Sequence, residues 1–144
     1  MAFGFGRERR IRRRAEFLRI QAEGERAQTA HFVLLVAAQA EPGPSRLGVV
    51  VTKKVGNSVA RSRVKRLCRE CFRQWPDLVP DGVDLVVIAR QGADELVLRQ
   101  VREEWERTRK RLLERCAAAL GKRKKAGTQA AAASSSGPKP DVPT

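Results

Sequence analysis

Positively charged side chains recur at helical spacing over residues 59–75, and anion binding is the chemistry that they suggest. At 100° per residue, apolar side chains fall on one side of such a helix and cations on the other. Glu70, the only acid in the segment, falls at the edge of the cationic side. The apolar side holds Val64, Leu67, Cys68, Cys71, Phe72 and Trp75, and the cationic side holds Arg61, Arg63, Lys65, Arg66, Arg69 and Arg73. A helix of this kind buries one side and presents a row of cations on the other.

The residues that precede this helix add to the predicted anion site. Asn57 or Ser58 can cap it, because either side chain can accept a hydrogen bond from a free amide of the first turn. The other free amides lie just after Lys53 and Lys54, at the positive end of the helix dipole. Basic helix faces are often only solvated, but a solvated face usually mixes both signs of charge. We therefore expect these cations to bind a ligand.

Overall charge indicates what that ligand is. The 144 residues include 30 Lys and Arg against 16 Asp and Glu, which gives a net charge of +14. Such an excess favours a polyanionic partner, nucleic acid first and an anionic membrane surface second. No apolar run reaches the roughly 18 residues needed to span a membrane, and the arginine-rich N-terminus lacks the apolar core of a signal peptide. We therefore expect a cytoplasmic protein that binds nucleic acid.

Groups that could catalyse a reaction are scarce. His31 is the only histidine, and without a nucleophile nearby in sequence it favours a structural or RNA-facing role over general-base catalysis. Asp77, Asp81 and Asp84 form the only close aspartate cluster, but the prolines and glycine around them favour turns over a metal-dependent nuclease. The phosphate-binding loop of nucleotide hydrolases is absent from the sequence. These residues predict a polypeptide that is not itself a catalyst.

The cysteines give a second possible site. Cys68 and Cys71 form a C-x-x-C pair, but Cys116 and His31 do not supply the second pair that a zinc site usually needs. An odd number of cysteines also argues against a disulfide framework. Because Cys68 and Cys71 fall on the apolar side of the helix, small buried hydrophobes are the favoured interpretation and redox or metal use is the alternative.

Periodicity and turn residues divide the chain into six elements. We predict helices over 14–23, 59–75 and 95–120, with Asp94 as a possible N-cap and Gly121 as a C-cap of the last. Strands are predicted over 31–38, 46–52 and 83–89, with the first two forming a hairpin. Residues 1–13 would be a loosely ordered basic arm, 14–121 the folded domain and 122–144 a disordered tail. The strand–helix–strand unit in the middle would cross over in the right-handed sense by the general rule.

The segment from Ala60 to Glu70 closely resembles the signature of the bacterial ribonuclease P protein component, the protein partner of a catalytic RNA. Its pattern is an Arg-Asn pair, then Lys-Arg, then Arg, and this chain has Arg61, Ser62, Lys65, Arg66 and Arg69 at those positions. Residues 47–57, 16–17, 31–34 and 88–90 are also similar to the family, so the resemblance covers about residues 8–118. Serine replaces the usual asparagine at position 62 and lacks its amide donor. Gln21 and Leu35 stand at positions that are often aromatic.

The resemblance implies a fold and a function. The fold would be an α/β (α+β) class, a small ribosomal-protein-like two-layer sandwich whose helices pack on a sheet, with a left-handed strand–helix–strand crossover. The holoenzyme would remove the 5′ leader of precursor tRNA by Mg²⁺-dependent hydrolysis, with the RNA subunit performing the chemistry. The protein would bind no metal itself, and its partners would be the catalytic RNA and precursor tRNA, with no membrane and no DNA.

The resemblance also assigns residues to two surfaces. A cleft between the sheet and the first helix would hold the leader, and the cationic helix would hold the RNA subunit. The residues implied for the cleft and its border are Phe17, Phe32, Val49, Val51, Lys53, Lys54 and Asn57. The residues implied for the RNA subunit are Arg61, Ser62, Arg63, Lys65, Arg66, Arg69 and Arg73.

Two other binding modules remain open from the sequence. A ribosomal protein or RNA chaperone would share the fold and charge but would show no preference for the leader of precursor tRNA. A DNA-binding helix-turn-helix is a more distant alternative, because the basic helix is flanked by predicted strands rather than by a partner helix.

Overall fold

The computed structural model of the protein describes residues 10, 11 and 13–136 as four helices and four strands with one short 3₁₀ turn. The chain order is α1 (Arg14–Glu23), β1 (Glu25–Gln28), β2 (Phe32–Ala38), β3 (Arg46–Val50), α2 (Ser58–Arg73), β4 (Val83–Ala89), the 3₁₀ turn (Ala93–Glu95), α3 (Leu98–Arg107) and α4 (Arg109–Ser136). The bounds predicted for α1 and β4 are confirmed, and β1, whose sequence is mostly polar, is an element that the sequence did not predict.

The four strands form one mixed sheet in the order β1-β2-β4-β3. Strand β4 lies between β2 and β3, antiparallel to the first and parallel to the second. The predicted hairpin of β2 with β3 is therefore wrong. Strands β2 and β4 are buried along almost their whole length, as expected of central strands whose two faces are both covered. The parallel strand–helix–strand unit, β3-α2-β4, is confirmed, while its left-handed sense stays a prediction.

The loop between β2 and β3 explains why these strands do not pair. Gln39 is buried, and its side-chain amide donates to Asp84 Oδ1 and to Pro44 O, both at 2.8 Å. Its side-chain oxygen accepts from Gly43 N at 2.8 Å. These bonds fasten the loop to the beginning of β4 and direct β3 to the far side of that strand.

Helices cover both faces of the sheet. On one face, α1 closes a small core of Ile20, Val33, Leu35, Ala37 and Val86, with Ile11 beside it. On the other face, α2, α3 and α4 close the larger core, which includes Phe32, Leu34, Leu85, Val87, Val64, Phe72, Trp105 and Leu112. Because α1 is short, one face of the sheet is covered much less than the other.

The long helix predicted over 95–120 is two helices that meet at Thr108. The Thr108 amide donates to Trp105 O at 3.2 Å, three residues back rather than the four of an α-helix. The Thr108 hydroxyl donates to Gln28 O at 3.4 Å. Helix α3 begins at Leu98 rather than at Glu95, and Gln100 rather than Asp94 satisfies an amide there, accepting from Val97 N at 3.0 Å.

Helix α4 continues through Gly121 to Ser136, so the predicted end at Gly121 is wrong. Gly121 lacks the positive φ of a C-cap glycine, and no atom lies within 4 Å of the place where its Cβ would be. The residues that follow are rich in alanine and lysine, which are strong helix formers and continue the helix over 122–136. Residues 137–144 of the predicted tail, and residues 1–9 and 12 of the predicted arm, lie outside the described residues.

Candidate RNA interface

The beginning of α2 is fixed by its cap and by a close approach of the chain. Asn57 Oδ1 accepts a hydrogen bond from Ala60 N at 2.9 Å, which confirms the predicted cap. A Cβ at Gly56 would lie 2.8 Å from Ala60 Cβ, so the chain can enter the helix this tightly only with glycine. Lys53 and Lys54 lie in the turn before it, and their side chains are exposed.

The apolar side of α2 is buried, as its spacing predicts. Val64, Cys68, Cys71 and Phe72 all lie in the larger core. Burial raises the pKa of the Cys68 thiol, and it raises that of Cys71 to about 12. A thiol held protonated at neutral pH is a poor nucleophile and a poor metal ligand, so the structure supports packing as the role of the C-x-x-C pair.

The opposite side of α2 forms a basic pocket, which we call the arginine pocket. Ser62, Arg66, Arg69 and Arg73 follow one another at spacings of four, three and four residues and so form one stripe along the helix. The described residues that line the pocket are Arg10, Ser62, Arg66, Arg69, Glu70 and Arg73. Three of the six predicted cations, Arg66, Arg69 and Arg73, therefore meet here, together with Ser62, which replaces the family asparagine.

Arg10 is the member of the arginine pocket that sequence reasoning missed. It pairs with Leu47 in a parallel bridge, and the next residue donates its amide to Leu47 O at 2.9 Å, so this segment extends the sheet beyond β3. Burial lowers the pKa of Arg69, and repulsion from Arg10 lowers it further. The fold therefore holds two guanidinium groups close together in spite of their repulsion. The only sequence signal for Arg10 was the run of basic residues around it, and such a run does not show which strand it pairs with.

The other predicted cations of α2 lie outside the pocket. Arg63 donates from Nε to Asp94 O at 3.1 Å and from Nη2 to Leu96 O at 2.8 Å. These bonds tie α2 to the segment before α3, and the assignment of Arg63 to the RNA subunit stays a prediction. Arg61 and Lys65 are half-buried and do not line the pocket.

The face of the sheet that α1 covers is lined by residues that differ from those predicted for the leader cleft. Phe17 lies over Gly48 so closely that a Cβ there would be 2.6 Å from Phe17 Cε1. Val50 and Ile88 are half-buried beside it. Among the predicted cleft residues, Phe17 is therefore placed on this side.

Phe32, Val49 and Val51 lie on the other side of the sheet, which corrects their assignment to the cleft. Phe32 is fully buried in the larger core, where its ring meets Trp105 edge-on with centroids 5.8 Å apart. Val49 and Val51 pack against that same core. Alternate residues of a strand point to opposite faces of the sheet. Gly48 and Val50 face α1, and Val49 and Val51 therefore face the larger core.

The candidate catalytic residues have structural partners. His31 Nδ1 lies 2.6 Å from Glu104 Oε2, and its backbone amide donates to Glu104 Oε1 at 2.9 Å. Asp77 is exposed in the turn after α2 and Asp81 is exposed just before β4, where the turn prediction places them. Asp84 is instead a fully buried residue of β4 that pairs with Arg46, so the turn prediction is wrong for it. Within the described residues, no group of three His, Cys, Asp or Glu side chains is arranged to hold a metal ion.

Comparison with known proteins identifies the family. A family model described as Ribonuclease P matches residues 5–113, most of the chain. The chain belongs to the ribonuclease P protein family. A ribonuclease P protein component from Desulfatibacillum aliphaticivorans is 44% identical over 91 residues, which cover 63% of this chain and 76% of that protein. One from Thermotoga petrophila is 41% identical over 95 residues, which cover 66% of this chain and 80% of that protein.

Solved structures of the ribonuclease P protein have the same fold. The protein from Thermotoga maritima aligns with a TM-score of 0.63 and 38% identity over 71% of this chain and 96% of that one. The protein from Staphylococcus aureus aligns with a TM-score of 0.62 and 34% identity over 69% of this chain and 90% of that one. The α/β fold class that the resemblance implied is confirmed.

Membership of the ribonuclease P protein family also settles the class of activity. Its members are protein components of an endoribonuclease that processes tRNA, which confirms the enzyme class that the resemblance implied. In the part of the chain that the structure describes, no helix is both long enough and apolar enough to cross a membrane.

Proposed function

We propose that the chain binds the catalytic RNA subunit of ribonuclease P through the arginine pocket and holds the 5′ leader of precursor tRNA on the α1 side of the sheet. In this role it assists leader removal in the cytoplasm and broadens the range of substrates, while the RNA performs the hydrolysis. The observation that carries the proposal is the convergence of Arg10, Arg66, Arg69 and Arg73 on one pocket.

The energetics of the arginine pocket support a phosphate ligand. Repulsion from Arg10 acts on Arg69, and an anion between the two would relieve it. Guanidinium groups bind phosphate oxygens through two parallel hydrogen bonds, which fixes orientation as well as charge. Each phosphate neutralised also releases condensed counterions from the RNA, which is a favourable term at moderate salt.

The α1 side of the sheet supports a single-stranded ligand. Phe17, Val50 and Ile88 are half-buried there, and Leu18 on α1 is 51% exposed. Aromatic and apolar side chains of this kind form platforms on which unpaired bases stack with little regard to sequence. The exposed Lys53 and Lys54 follow the carboxyl end of β3, where we propose that they meet the leader's phosphates together with the side-chain NH₂ of Asn57, whose oxygen caps α2.

We assign the Mg²⁺ of the holoenzyme to its RNA. The protein's thiols are protonated, and Asp84 and Glu104 are engaged with Arg46, His31 and Thr29. Phosphate oxygens of a folded RNA are hard ligands of the kind that Mg²⁺ prefers.

The proposal is tested by reconstitution with the cognate RNA subunit. The protein alone should leave precursor tRNA uncut, and adding it to the RNA should lower the Mg²⁺ concentration needed for cleavage. Competition between precursor and mature tRNA should favour the precursor only when the protein is present. Cleavage by RNA-free protein would contradict the proposal, and equal competition by the two tRNAs would instead indicate a general RNA chaperone.

A further inference from the structure

Among the residues that the structure describes, Glu70 is the one acid that lines the arginine pocket, and it is hydrogen-bonded to Arg73 of the same pocket. Arg73 Nε donates to Glu70 Oε1 at 3.1 Å, and Arg73 Nη2 donates to Oε2 in a second, short bond. Gln74 Nε2 also donates to Oε2, at 2.7 Å. Hydrogen bonding to Arg73 is the largest cause of the lowered pKa of Glu70, so this carboxylate is charged at neutral pH.

The bond to Glu70 divides the arginines of the pocket into two kinds. Arg73 presents the Nε and Nη2 edge of its guanidinium to a carboxylate, and this is the edge that would hold a phosphate in the same two-bond geometry. Arg66 and Arg69 are in no ion pair with a carboxylate among the described residues. A phosphate can therefore bind at Arg66 and Arg69 directly, but at Arg73 it must compete with Glu70.

We propose that Glu70 is a selectivity residue of the RNA site, which opposes polyanions that offer the pocket only negative charge. This inference rests on the proposed function, since it concerns which RNA the arginine pocket accepts. A carboxylate inside a cationic site repels every phosphate that approaches, whatever the sequence or shape of the RNA. An RNA whose folded backbone fits the stripe of Arg66 and Arg69 keeps its contacts in spite of that repulsion, whereas an unrelated RNA loses much of its binding.

Glu70 contributes little to the fold itself, so it can be replaced without unfolding the protein. Its side chain is 39% exposed and that of Arg73 is 35% exposed, and the pair is three residues apart on one helix. Exposed pairs of this type contribute little to stability. The stability of α2 therefore does not explain why an acid stands among the arginines of the pocket.

The test compares E70Q with E103Q. Both substitutions remove one negative charge from a helix surface, and Glu103 is paired with Arg99 over 3.9 Å on α3, outside the pocket lining. Affinity is measured for the cognate RNA subunit and for an unrelated structured RNA of equal length, over a range of salt concentrations. We expect E70Q to bind the unrelated RNA roughly 5- to 10-fold more tightly near 0.1 M salt, since one added phosphate contact steepens the salt slope by about 0.9.

The cognate RNA should gain less from E70Q, so the ratio of cognate to unrelated affinity falls several-fold, while E103Q leaves that ratio unchanged. Equal ratios for E70Q and E103Q would overturn the inference, and so would weaker binding of both RNAs by E70Q, which would make Glu70 a residue that positions Arg73. The double variant R66A/R69A distinguishes a failure of the inference about Glu70 from a failure of the proposed function. If it binds the cognate RNA as the parent does, the arginine pocket is not the RNA site and the proposed function itself fails.

Discussion

Arg46 and Asp84 are register partners on the parallel strands β3 and β4, and their side chains form a two-bond ion pair. Arg46 Nε donates to Asp84 Oδ1 at 3.0 Å, and Nη2 donates to Oδ2 at 2.7 Å. The same Nη2 lies 3.2 Å from Glu16 Oε2 on α1. Through these bonds the first helix is fastened to the sheet, and the hydrogen bond to Asp84 is the largest cause of the raised pKa of Arg46.

Removing the buried carboxylate of this pair should destabilise the protein. Asp84 is fully buried, so D84A leaves Arg46 and Gln39 without their common partner. We expect the free energy of unfolding to fall by roughly 3 kcal/mol, measured by urea denaturation. D77A is the matched control, because Asp77 is exposed and its ion pair with Arg109 is long, at 3.7 Å. Similar losses for the two variants would show that the buried pair of Arg46 and Asp84 adds no more stability than an exposed one.

Removing two cations from the arginine pocket should weaken RNA binding in a salt-dependent way. R66A/R69A should lower affinity for the RNA subunit on the order of 10- to 100-fold near 0.1 M salt and flatten the salt slope by roughly two units. The control R99A/R107A removes the same charge from the exposed surface of α3. If both double variants change the slope equally, net charge rather than the pocket governs binding.

A side chain at position 48 should disturb the α1 side of the sheet and leave the RNA subunit bound. G48A places a methyl group within 2.6 Å of Phe17 Cε1, so the ring must move. We expect the preference for precursor over mature tRNA to drop by about five-fold, because the displaced ring would lose part of the stacking energy of one base. G121A makes the same change where no atom lies within 4 Å and should leave the preference intact. If the α1 side of the sheet does not hold the leader, G48A should leave this preference unchanged.

Stability should depend on pH through Glu104. Burial alone would raise its pKa, but hydrogen bonds from Thr29 and His31 outweigh burial and hold the pKa below the ordinary value of 4.5. A carboxyl group with a lowered folded pKa stabilises the protein above its unfolded pKa, and this contribution is lost as pH falls through the folded pKa. E104Q should therefore unfold more easily than the parent at pH 7, by roughly 1–3 kcal/mol, and the difference should shrink below about pH 4.5.

Urea denaturation at several pH values checks this dependence. E103Q, one residue away on the exposed surface of α3, should show a much smaller difference from the parent at every pH. A difference for E104Q that stays constant from pH 7 to pH 3 would mean that shape, and not charge, accounts for the role of Glu104.

The sequence predicts α2 well because its two sides differ in chemistry, which makes the helical period visible. The face of a central strand is not visible in the same way. Strand β2 is apolar at nearly every position, so alternation does not reveal that Phe32 points away from α1 and Leu35 toward it. Spacing also cannot distinguish Arg63, whose donors are taken by backbone carbonyls, from Arg66 on the same helix.

Contacts between distant parts of the chain escape sequence reasoning for a similar reason. Arg10 joins the arginine pocket because its segment pairs with Leu47, and nothing local to either residue signals that pairing. The order of strands was mistaken because a loop with two prolines and a glycine fits a hairpin as well as it fits the crossing over β4 that Gln39 organises.

The parallel bridge between Arg10 and Leu47 has one more consequence, for solubility. Strand β3 lies at one edge of the sheet of four strands, and it is short and largely apolar. An uncovered strand of this type is a template on which other chains can add and aggregate. The segment at residues 10 and 11 occupies part of that edge, so an N-terminal truncation removes a shield against self-association along with Arg10 of the arginine pocket. The contribution of Arg10 to RNA binding is therefore measured cleanly by R10A, which keeps the backbone in place.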